Sequence, residues 1–219
     1  MTLYYSDDLI KLHHGDCREI TEWLDCDVLV TDPPYGISWP SGSMHAAGKQ
    51  MRLANSVQGD DSTQVRDEML ALWNRRGAAV IFGSWRQERP DDVSHRLIWY
   101  KQKAFPGFRT SAYYPAEEEI YLIGSGWVGK PTQNVITTGE MRSGAAGLVA
   151  STGHPTPKPV GLMETLISKC PAGSIADPFA GSGATLIAAR NQKRKAVGVE
   201  IDEAYCELIA NRLSQDVLL

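Results

Sequence analysis

The sequence lacks the features of a membrane or secreted protein. No apolar run approaches the about 18 residues that a membrane-spanning helix needs, and residues 1–8 are polar and acidic rather than basic and then apolar. It has only four cysteines, at positions 17, 26, 170 and 206, and no Cys-x-x-Cys spacing. This is too few for a disulfide scaffold and the wrong spacing for a zinc site. We therefore expect a cytoplasmic protein without a structural metal.

An excess of basic charge is also absent. The 22 lysines and arginines face 26 aspartates and glutamates, which gives a net charge of −4. This balance excludes a protein that holds nucleic-acid phosphates with its whole surface, so any such contact must be a local patch. With 219 residues and 42% hydrophobic residues, the chain can bury a sizeable core. We expect one globular domain over residues 1–219.

Strand-length apolar runs alternate with stretches of helical period, which predicts an α/β fold. The predicted strands are residues 9–13, 28–31, 78–82, 96–101, 119–123, 174–177 and 196–200. Helices are predicted to begin at Asp16, near Val65, at Pro159, at Gly183 and before Tyr205. Asp16 and Glu19 have capping-box spacing, ahead of an apolar face formed by Ile20, Trp23 and Leu24. The strands at 96–101 and 119–123 have no helix between them and are expected to pair antiparallel.

Two segments show little periodicity. Residues 36–61 are rich in Gly, Ser, Asn and Gln. Because this segment is long for a structureless connection in a compact domain, we interpret it as a mobile functional loop. Residues 124–153 are rich in Gly, Ser and Thr and are expected to form surface loops.

A glycine-containing turn follows the predicted strand that ends at Asp177. It reads Asp-Pro-Phe-Ala-Gly-Ser-Gly, and Glu200 ends the next strand nineteen residues beyond Gly181. Glycines let a ligand approach the backbone, and a carboxylate at that interval accepts hydrogen bonds from ribose hydroxyls. Leu186 stands where a dinucleotide site needs a third glycine, so a ribose ligand without phosphate, most commonly S-adenosylmethionine, fits better. A tight turn without a ligand and a nicotinamide oxidoreductase remain alternatives.

A second turn, Asp32-Pro33-Pro34-Tyr35, follows the predicted strand at 28–31. The two prolines stiffen the turn and remove two N–H donors, so that it presents acceptors. Asp32 and the carbonyl of Pro33 can accept both hydrogens of an amino group, while Tyr35 offers a face for a base to stack on. The arrangement suits the exocyclic amine of a nucleobase. The alternative is a proline-rich turn in which Asp32 is only a cap.

The chemistry explains this residue choice. The lone pair of an aromatic amine is delocalised into the ring, so two fixed acceptors favour a pyramidal nitrogen that can attack a methyl donor. Positioning and fixed electrostatics supply the catalysis, and no metal is required. Either Asp32 or water takes the departing proton.

Together these residues resemble the amino-group DNA methyltransferases, in particular the permuted β-class, in which the catalytic turn precedes the cofactor loop. The resemblance implies a Rossmann-like, seven-stranded, mostly parallel sheet with one antiparallel edge hairpin. It implies that residues 32–35 form the catalytic turn and that Lys158, in Thr-Pro-Lys-Pro, lies over the methionine end of S-adenosylmethionine. The cofactor-binding set implied by the resemblance comprises Asp16, Lys158, Asp177, Phe179, Gly181, Gly183, Glu200 and Ile201. An ordinary N-cap and a solvated lysine are the alternatives for Asp16 and Lys158.

Within that family, Asp at the first position of the catalytic turn is typical of adenine, whereas Ser there often accompanies cytosine. The resemblance therefore implies a site-specific adenine DNA methyltransferase. Methylation of the 4-amino group of cytosine remains an alternative, as does a cofactor-binding partner subunit without activity.

The segment 124–153 is short for a target-recognition region. The candidate DNA contacts, each of which is alternatively an ordinary surface residue, are Trp39, Lys49, Arg52, Arg109, Lys130, Gln133, Asn134 and Arg142. Trp39 is also a candidate to fill the gap left by an extruded base, a step that costs a few kcal/mol. The acidic net charge makes a homodimer or a separate specificity subunit plausible, and an association with a restriction enzyme is left open.

Overall fold

The computed structural model describes residues 2–34, 36, 43–46, 49–52, 61–74, 76–102, 113, 116–139, 147–154 and 156–215, with the backbone alone at 43–46, 49–52 and 150–151. The strands are β1 (Thr2–Ser6), β2 (Ile10–His14), β3 (Val28–Thr31), β4 (Ser43–Ala46), β5 (Lys49–Arg52), β6 (Ala78–Gly83), β7 (Val93–Lys101), β8 (Glu117–Ile123), β9 (Val135–Thr138), β10 (Ile175–Asp177) and β11 (Ala196–Glu200). The helices are α1 (Gln64–Trp73), α2 (Leu148–Thr152), α3 (Val160–Ile167), α4 (Ala184–Asn191) and α5 (Glu203–Gln215), with a 3₁₀ helix at Glu22–Asp25.

The predicted α/β class is confirmed, with a main sheet in the order β1-β2-β11-β10-β3-β6-β8-β7-β9. The strands from β2 to β6 in this order are parallel. β8 pairs antiparallel with β7, as predicted, and also with β6. Among the described residues this sheet has nine strands rather than seven, because β1 and β9 extend its two edges. Both are short and largely exposed, so they lack the apolar run that reveals a buried strand.

The parallel strands place the chemistry at one side of the sheet. Since β2, β11, β10, β3 and β6 run in one direction, they all end at the same edge, called here the carboxyl edge. Antiparallel β8 begins at this edge, with Glu119 opposite Gly83 of β6. Ligands of open α/β sheets bind at such an edge.

Four of the five predicted helices are present, as α1, α3, α4 and α5. The prediction of an α-helix that begins at Asp16 is wrong. The carbonyl of Asp16 accepts from the N–H groups of Glu19 and Ile20, which closes a turn, and only the short 3₁₀ helix follows before β3. Ile20 and Trp23 are buried as expected, and Trp23 Nε1 donates to the carbonyl of Cys17 over 2.9 Å. The apolar spacing therefore predicts burial correctly here, although not the type of helix.

The two weakly periodic segments contain more regular structure than expected. Within 36–61, β4 and β5 pair antiparallel as a separate hairpin. Within 124–153, β9 joins the main sheet beside β7, and α2 follows, so this segment is not loops alone. The mobility of 36–61 remains a prediction.

The core lies on both faces of the sheet. One cluster packs α3, α4 and α5 against it, and the other joins the 3₁₀ helix and α1, where the Trp23 and Trp73 rings stack with centroids 6.1 Å apart. All four cysteines are buried and free. Within the part of the chain that the structure describes, no helix has the length and apolarity needed to cross a membrane.

Candidate active site

The two turns singled out in the sequence follow neighbouring strands. Parallel β3 and β10 pair through Val28 with Ile175 and Leu29 with Ala176. At their ends, Thr31 Oγ1 donates to Asp177 Oδ1 over 2.7 Å, and both side chains are buried. The Asp32 turn and the glycine turn therefore begin side by side at the carboxyl edge.

The glycine turn adopts a backbone that favours glycine. Gly181 and Gly183 have φ angles of +52° and +82°, in the left-handed region. A Cβ at Gly183 would lie 3.0 Å from Ile209 Cγ1 of α5, so close packing also restricts this position. At Gly181 a Cβ would meet His154 Nε2 at 3.2 Å. His154 lies over the glycine turn and contacts the ring of Tyr205, a placement that the sequence did not predict.

Glu200 is fastened to the glycine turn. Its Oε2 accepts from the Gly181 N–H over 2.7 Å and its Oε1 from the Asp202 N–H over 2.9 Å. Each carboxylate oxygen has a second lone pair, so Glu200 can still accept from hydroxyl groups. Burial raises the pKa of Glu200 to about 7, against these two backbone hydrogen bonds, which lower it.

Asp177, at the end of β10, stabilises the glycine turn through hydrogen bonds. Burial raises the pKa of Asp177 to about 6, although hydrogen bonds from Thr185, Thr31 and the Phe179 N–H lower it. Its carboxylate accepts from the Phe179 N–H over 3.2 Å, which fixes the first bend of the turn. Asp177 therefore acts as a structural support of the loop.

Asp16 and Ile201, two members of the predicted cofactor-binding set, lie just beyond the ends of β2 and β11. The Gly15 N–H donates to the Glu200 carbonyl over 2.9 Å, which places Asp16 beside the end of β11. Hydrogen bonds from Arg18 hold the pKa of Asp16 below its usual value, and Arg18 also reaches Glu68 over 2.9 Å. Ile201 is 46% exposed, which leaves an aliphatic surface next to Glu200.

The two oxygens of the Asp32 carboxylate have different surroundings. Oδ2 accepts a hydrogen bond from the buried ammonium of Lys158. Oδ1 is buried, and no described residue donates to it. Burial raises the pKa of Asp32, the charge of Lys158 opposes that rise, and the charge of Glu118 adds to it. One oxygen is therefore held while the other is available to a donor.

The rest of this turn is stiff and anchored. Pro33 and Pro34 are buried, and Gln87 Nε2 donates to the Gly36 carbonyl over 2.6 Å from the link after β6. Tyr35 lies outside the described residues.

Lys158 lies beside the Asp32 turn. Its ammonium contacts Asp32 and lies 3.2 Å from Glu118 Oε2, and its place over the methionine end of a cofactor remains a prediction. Glu118 also pairs with Lys101. Sequence reasoning missed Glu118 and Lys101, and the available signal was a run of three glutamates entering a buried strand opposite a lysine.

The candidate DNA contacts are not all brought together. Trp39, Arg109 and Arg142 lie outside the described residues. Only the backbone is described at Lys49 and Arg52, in the β4–β5 hairpin. Exposed Lys130, Gln133 and Asn134 lie between β8 and β9.

Lys130 lies away from the catalytic turn. Because β8 is antiparallel to β6, it ends at the side of the sheet where β6 begins. The Lys130 carbonyl accepts from Lys169 just beyond α3. Lys130 is therefore not at the carboxyl edge with Asp32. Among the residues that the structure describes, no group of three or more His, Cys, Asp or Glu side chains could hold a metal ion.

Comparisons with known proteins agree with this architecture. Residues 129–212 match the N6_N4_Mtase family, described as DNA methylase. The type II methyltransferase M.ScaI of Streptomyces caespitosus is 25% identical over 255 residues, covering 97% of this chain and 84% of its own length.

Two solved structures share the fold. The M1.HpyAVI–SAM complex has a TM-score of 0.65 at 24% identity, covering 94% of this chain and 99% of its own. The PvuII DNA methyltransferase, described as cytosine-N4-specific, has a TM-score of 0.69 at 15% identity, covering 96% of this chain and 88% of its own.

Proposed function

We propose that the chain is a DNA methylase of the N6/N4 family and that it transfers a methyl group from S-adenosylmethionine to the 6-amino group of adenine in DNA. The match of residues 129–212 to that family and the similarity of 97% of the chain to a type II methyltransferase support this proposal. The observation that carries this proposal is the Asp32 carboxylate. Lys158 holds its Oδ2, and its buried Oδ1 has no donor among the described residues. An amine hydrogen is the donor that this oxygen fits.

The residues at the ends of β10 and β11 fit the cofactor. Glu200 offers lone pairs to ribose hydroxyls beside a glycine turn whose backbone a ligand can approach. Ile201 offers an exposed aliphatic surface to the adenine ring, and Asp16 lies at the adjacent strand end. When bound, S-adenosylmethionine supplies an electrophilic methyl group on a sulfonium.

The protein's part in the reaction is positioning and electrostatics. Asp32 Oδ1 and the Pro33 carbonyl accept the two amine hydrogens, which favours a pyramidal nitrogen with its lone pair directed away from the ring. Stiff Pro33 and Pro34 keep these acceptors in place. The proton that leaves the nitrogen passes to Asp32 or to water.

Adenine is preferred because Asp occupies the first position of the catalytic turn. The cytosine-N4 specificity of one structural relative supports the alternative, the 4-amino group of cytosine. The position of Asp32 before Asp177 in the chain supports the permuted β-class. A partner subunit without activity is the second alternative, although such a protein has no need of an intact Asp-Pro-Pro-Tyr turn.

The proposed partner is DNA, bound through a local patch because the net charge is −4. The proposed contacts are Trp39, Lys49, Arg52, Arg109 and Arg142. We further propose that the protein acts in the cytoplasm, and that a homodimer or a specificity subunit supplies additional binding surface.

The test is an assay with methyl-labelled S-adenosylmethionine and unmethylated genomic DNA, with RNA offered in parallel. DNA digested to nucleosides is expected to carry the label in N6-methyl-2′-deoxyadenosine, and Asp32→Ala is expected to abolish labelling. Label in N4-methylcytosine would establish the cytosine alternative. Labelled RNA with unlabelled DNA, or no transfer by the folded protein to any DNA, would contradict the proposed function.

A further inference from the structure

A row of four charged side chains of alternating sign runs behind the candidate catalytic turn. Asp32 pairs with Lys158, Lys158 lies 3.2 Å from Glu118, and Glu118 pairs with Lys101. The side chains of Lys158, Lys101 and Glu118 are only 5%, 13% and 14% exposed. Charges this shielded from water interact strongly, so each one affects its neighbours.

The strand register explains why Glu118 and Lys101 meet. Trp99 of β7 is directly opposite Glu118 of β8. Lys101 lies two residues beyond Trp99, on the same face of the sheet, and its ammonium lies 4.8 Å from the Trp99 ring centroid. Glu117 and Glu119 alternate to the other face, where Glu119 binds Arg96 and Tyr121. Only the middle glutamate therefore faces Lys158.

Lys158 is shared between two carboxylates. Its ammonium donates to Asp32 Oδ2 and also lies within ion-pair distance of Glu118 Oε2. An ammonium held by one carboxylate is less strongly attracted by another. Glu118 is in turn partly neutralised by Lys101, which limits its pull on Lys158.

We propose that Glu118 is a positioning residue that shares the Lys158 ammonium with Asp32 and so sets how firmly Lys158 holds the catalytic carboxylate. Lys101 tunes this sharing from the far side of Glu118. The inference rests on the proposed function, in which the Asp32 carboxylate must stay ionised. Its Oδ2 binds Lys158 while its Oδ1 accepts a strong hydrogen bond from the amine. A lysine bound to Asp32 alone would weaken that acceptor.

The charges around Asp32 give the expected signs. The described groups that face it are Lys158 before α3, Glu118 on β8, Lys101 on β7 and Asp177 on β10. Glu118 raises the pKa of Asp32, and Lys101 lowers it. Removing the charge of Glu118 and removing the charge of Lys101 should therefore shift the Asp32 titration in opposite directions.

The experiment is a carbon-13 NMR titration of protein labelled at aspartate carboxyl carbons, with the Asp32 signal assigned from Asp32→Asn. In Glu118→Gln, the Asp32 midpoint is expected about one pH unit lower than in wild type. In Lys101→Met, it is expected to rise. The double variant is expected to return close to the wild-type midpoint, and Glu117→Gln, the matched control on the other face, is expected to leave it unchanged.

A purely structural role would not produce opposite shifts. Unchanged midpoints, or shifts of both single variants in one direction, would overturn the inference. If Glu118→Gln does not fold, Lys101→Met decides alone, since an unchanged or lowered midpoint contradicts the sharing of Lys158. The titration needs no DNA, so it separates the two proposals. If the wild-type protein methylates nothing but the two variants still shift the Asp32 midpoint in opposite directions, the proposed function is contradicted and the sharing of Lys158 is supported.

In an active enzyme, the acid limb of the kcat profile is expected to follow the same two directions. The KM values for cofactor and DNA are expected to stay within about twofold of wild type, because the proposed role of Glu118 acts through Lys158 and Asp32. A change in KM without a change in the pH profile would count against a role through Asp32.

Discussion

The hydroxyl of Thr31 donates a hydrogen bond of 2.7 Å to the carboxylate of Asp177, and this bond joins the strand before the catalytic turn to the strand before the glycine turn. The two residues are 146 positions apart in sequence. Because both side chains are buried, the bond couples the placement of the two turns, which hold the amine and the methyl donor in the proposed reaction.

Thr31→Val is expected to destabilise the protein while preserving side-chain shape. Loss of the hydroxyl deprives a buried carboxyl group of a donor, at a cost of about 1–3 kcal/mol. Urea unfolding followed by circular dichroism measures the change in the free energy of unfolding. The control is Thr137→Val on the exposed face of edge strand β9, which should change it by less than about 0.5 kcal/mol.

Glu200→Gln is expected to remove the pH dependence of cofactor binding. Burial raises the pKa of Glu200 to about 7, so the ionised acceptor forms as pH rises from 6 to 8. Wild-type affinity for S-adenosylmethionine should increase about tenfold over that interval, measured by calorimetry. Wild-type affinity that falls with rising pH would contradict the assignment of Glu200 to the ribose.

The raised pKa of Glu200 also affects stability, in the opposite direction to cofactor affinity: the free energy of unfolding falls as the pH rises. A carboxyl group whose folded pKa is raised stabilises the protein fully below its unfolded pKa, and that contribution is lost as pH rises through the folded value. Between about pH 4.5 and pH 7, the free energy of unfolding without cofactor should fall less steeply in Glu200→Gln than in wild type. Identical slopes would show that Glu200 is not responsible.

Gly183→Ala is expected to cost more stability than Gly153→Ala. Both glycines have positive φ angles, +82° and +69°, so both substitutions carry backbone strain of about 1 kcal/mol. At Gly183 the new Cβ would also press on Ile209, at 3.0 Å, whereas no described atom lies within 4 Å of a Cβ at Gly153. Chemical denaturation of the two variants measures the difference in their free energies of unfolding. Equal losses of stability would show that Ile209 moves aside without an energetic penalty.

Lys158→Met is expected to destabilise the protein by about 3–5 kcal/mol near neutral pH, because it leaves Asp32 and Glu118 as shielded carboxylates without their shared cation. Protonation of these carboxylates relieves the defect, so the deficit should shrink as pH falls. Stability curves over a range of pH values test this. Lys169→Met, at a more exposed lysine, is the matched comparison, and an equal deficit there would argue against the ion pairs.

The sequence predicted the buried parts of the fold well. The central strands β3, β6, β10 and β11 appear close to their predicted bounds because burial on both faces gives each one a continuous apolar run. Edge strands β1 and β9 have no such pattern. Asp16 and Glu19 have the spacing of a helix start, but the short connection between β2 and β3 closes as a turn instead.

The candidate site was predictable in its turns but not in its side-chain partners. Local residue types identify the Asp32 turn and the glycine turn, and parallel pairing brings them together. The contacts of Lys158 with Asp32 and Glu118 join three distant parts of the chain, so no local pattern reveals them. Conversely, Lys130 has a suitable residue type for a DNA contact, but the strand direction of β8 takes it to the other side of the sheet.

In the proposed reaction, Asp32 acts on the amine while the residues at the ends of β10 and β11 hold the cofactor. The single-turnover rate of methyl transfer to DNA by Asp32→Asn, with S-adenosylmethionine already bound, tests this division of roles most directly. We predict a cofactor affinity within about twofold of wild type and a transfer rate lower by about 100-fold or more. A variant that transfers the methyl group at the wild-type rate would contradict the role of Asp32.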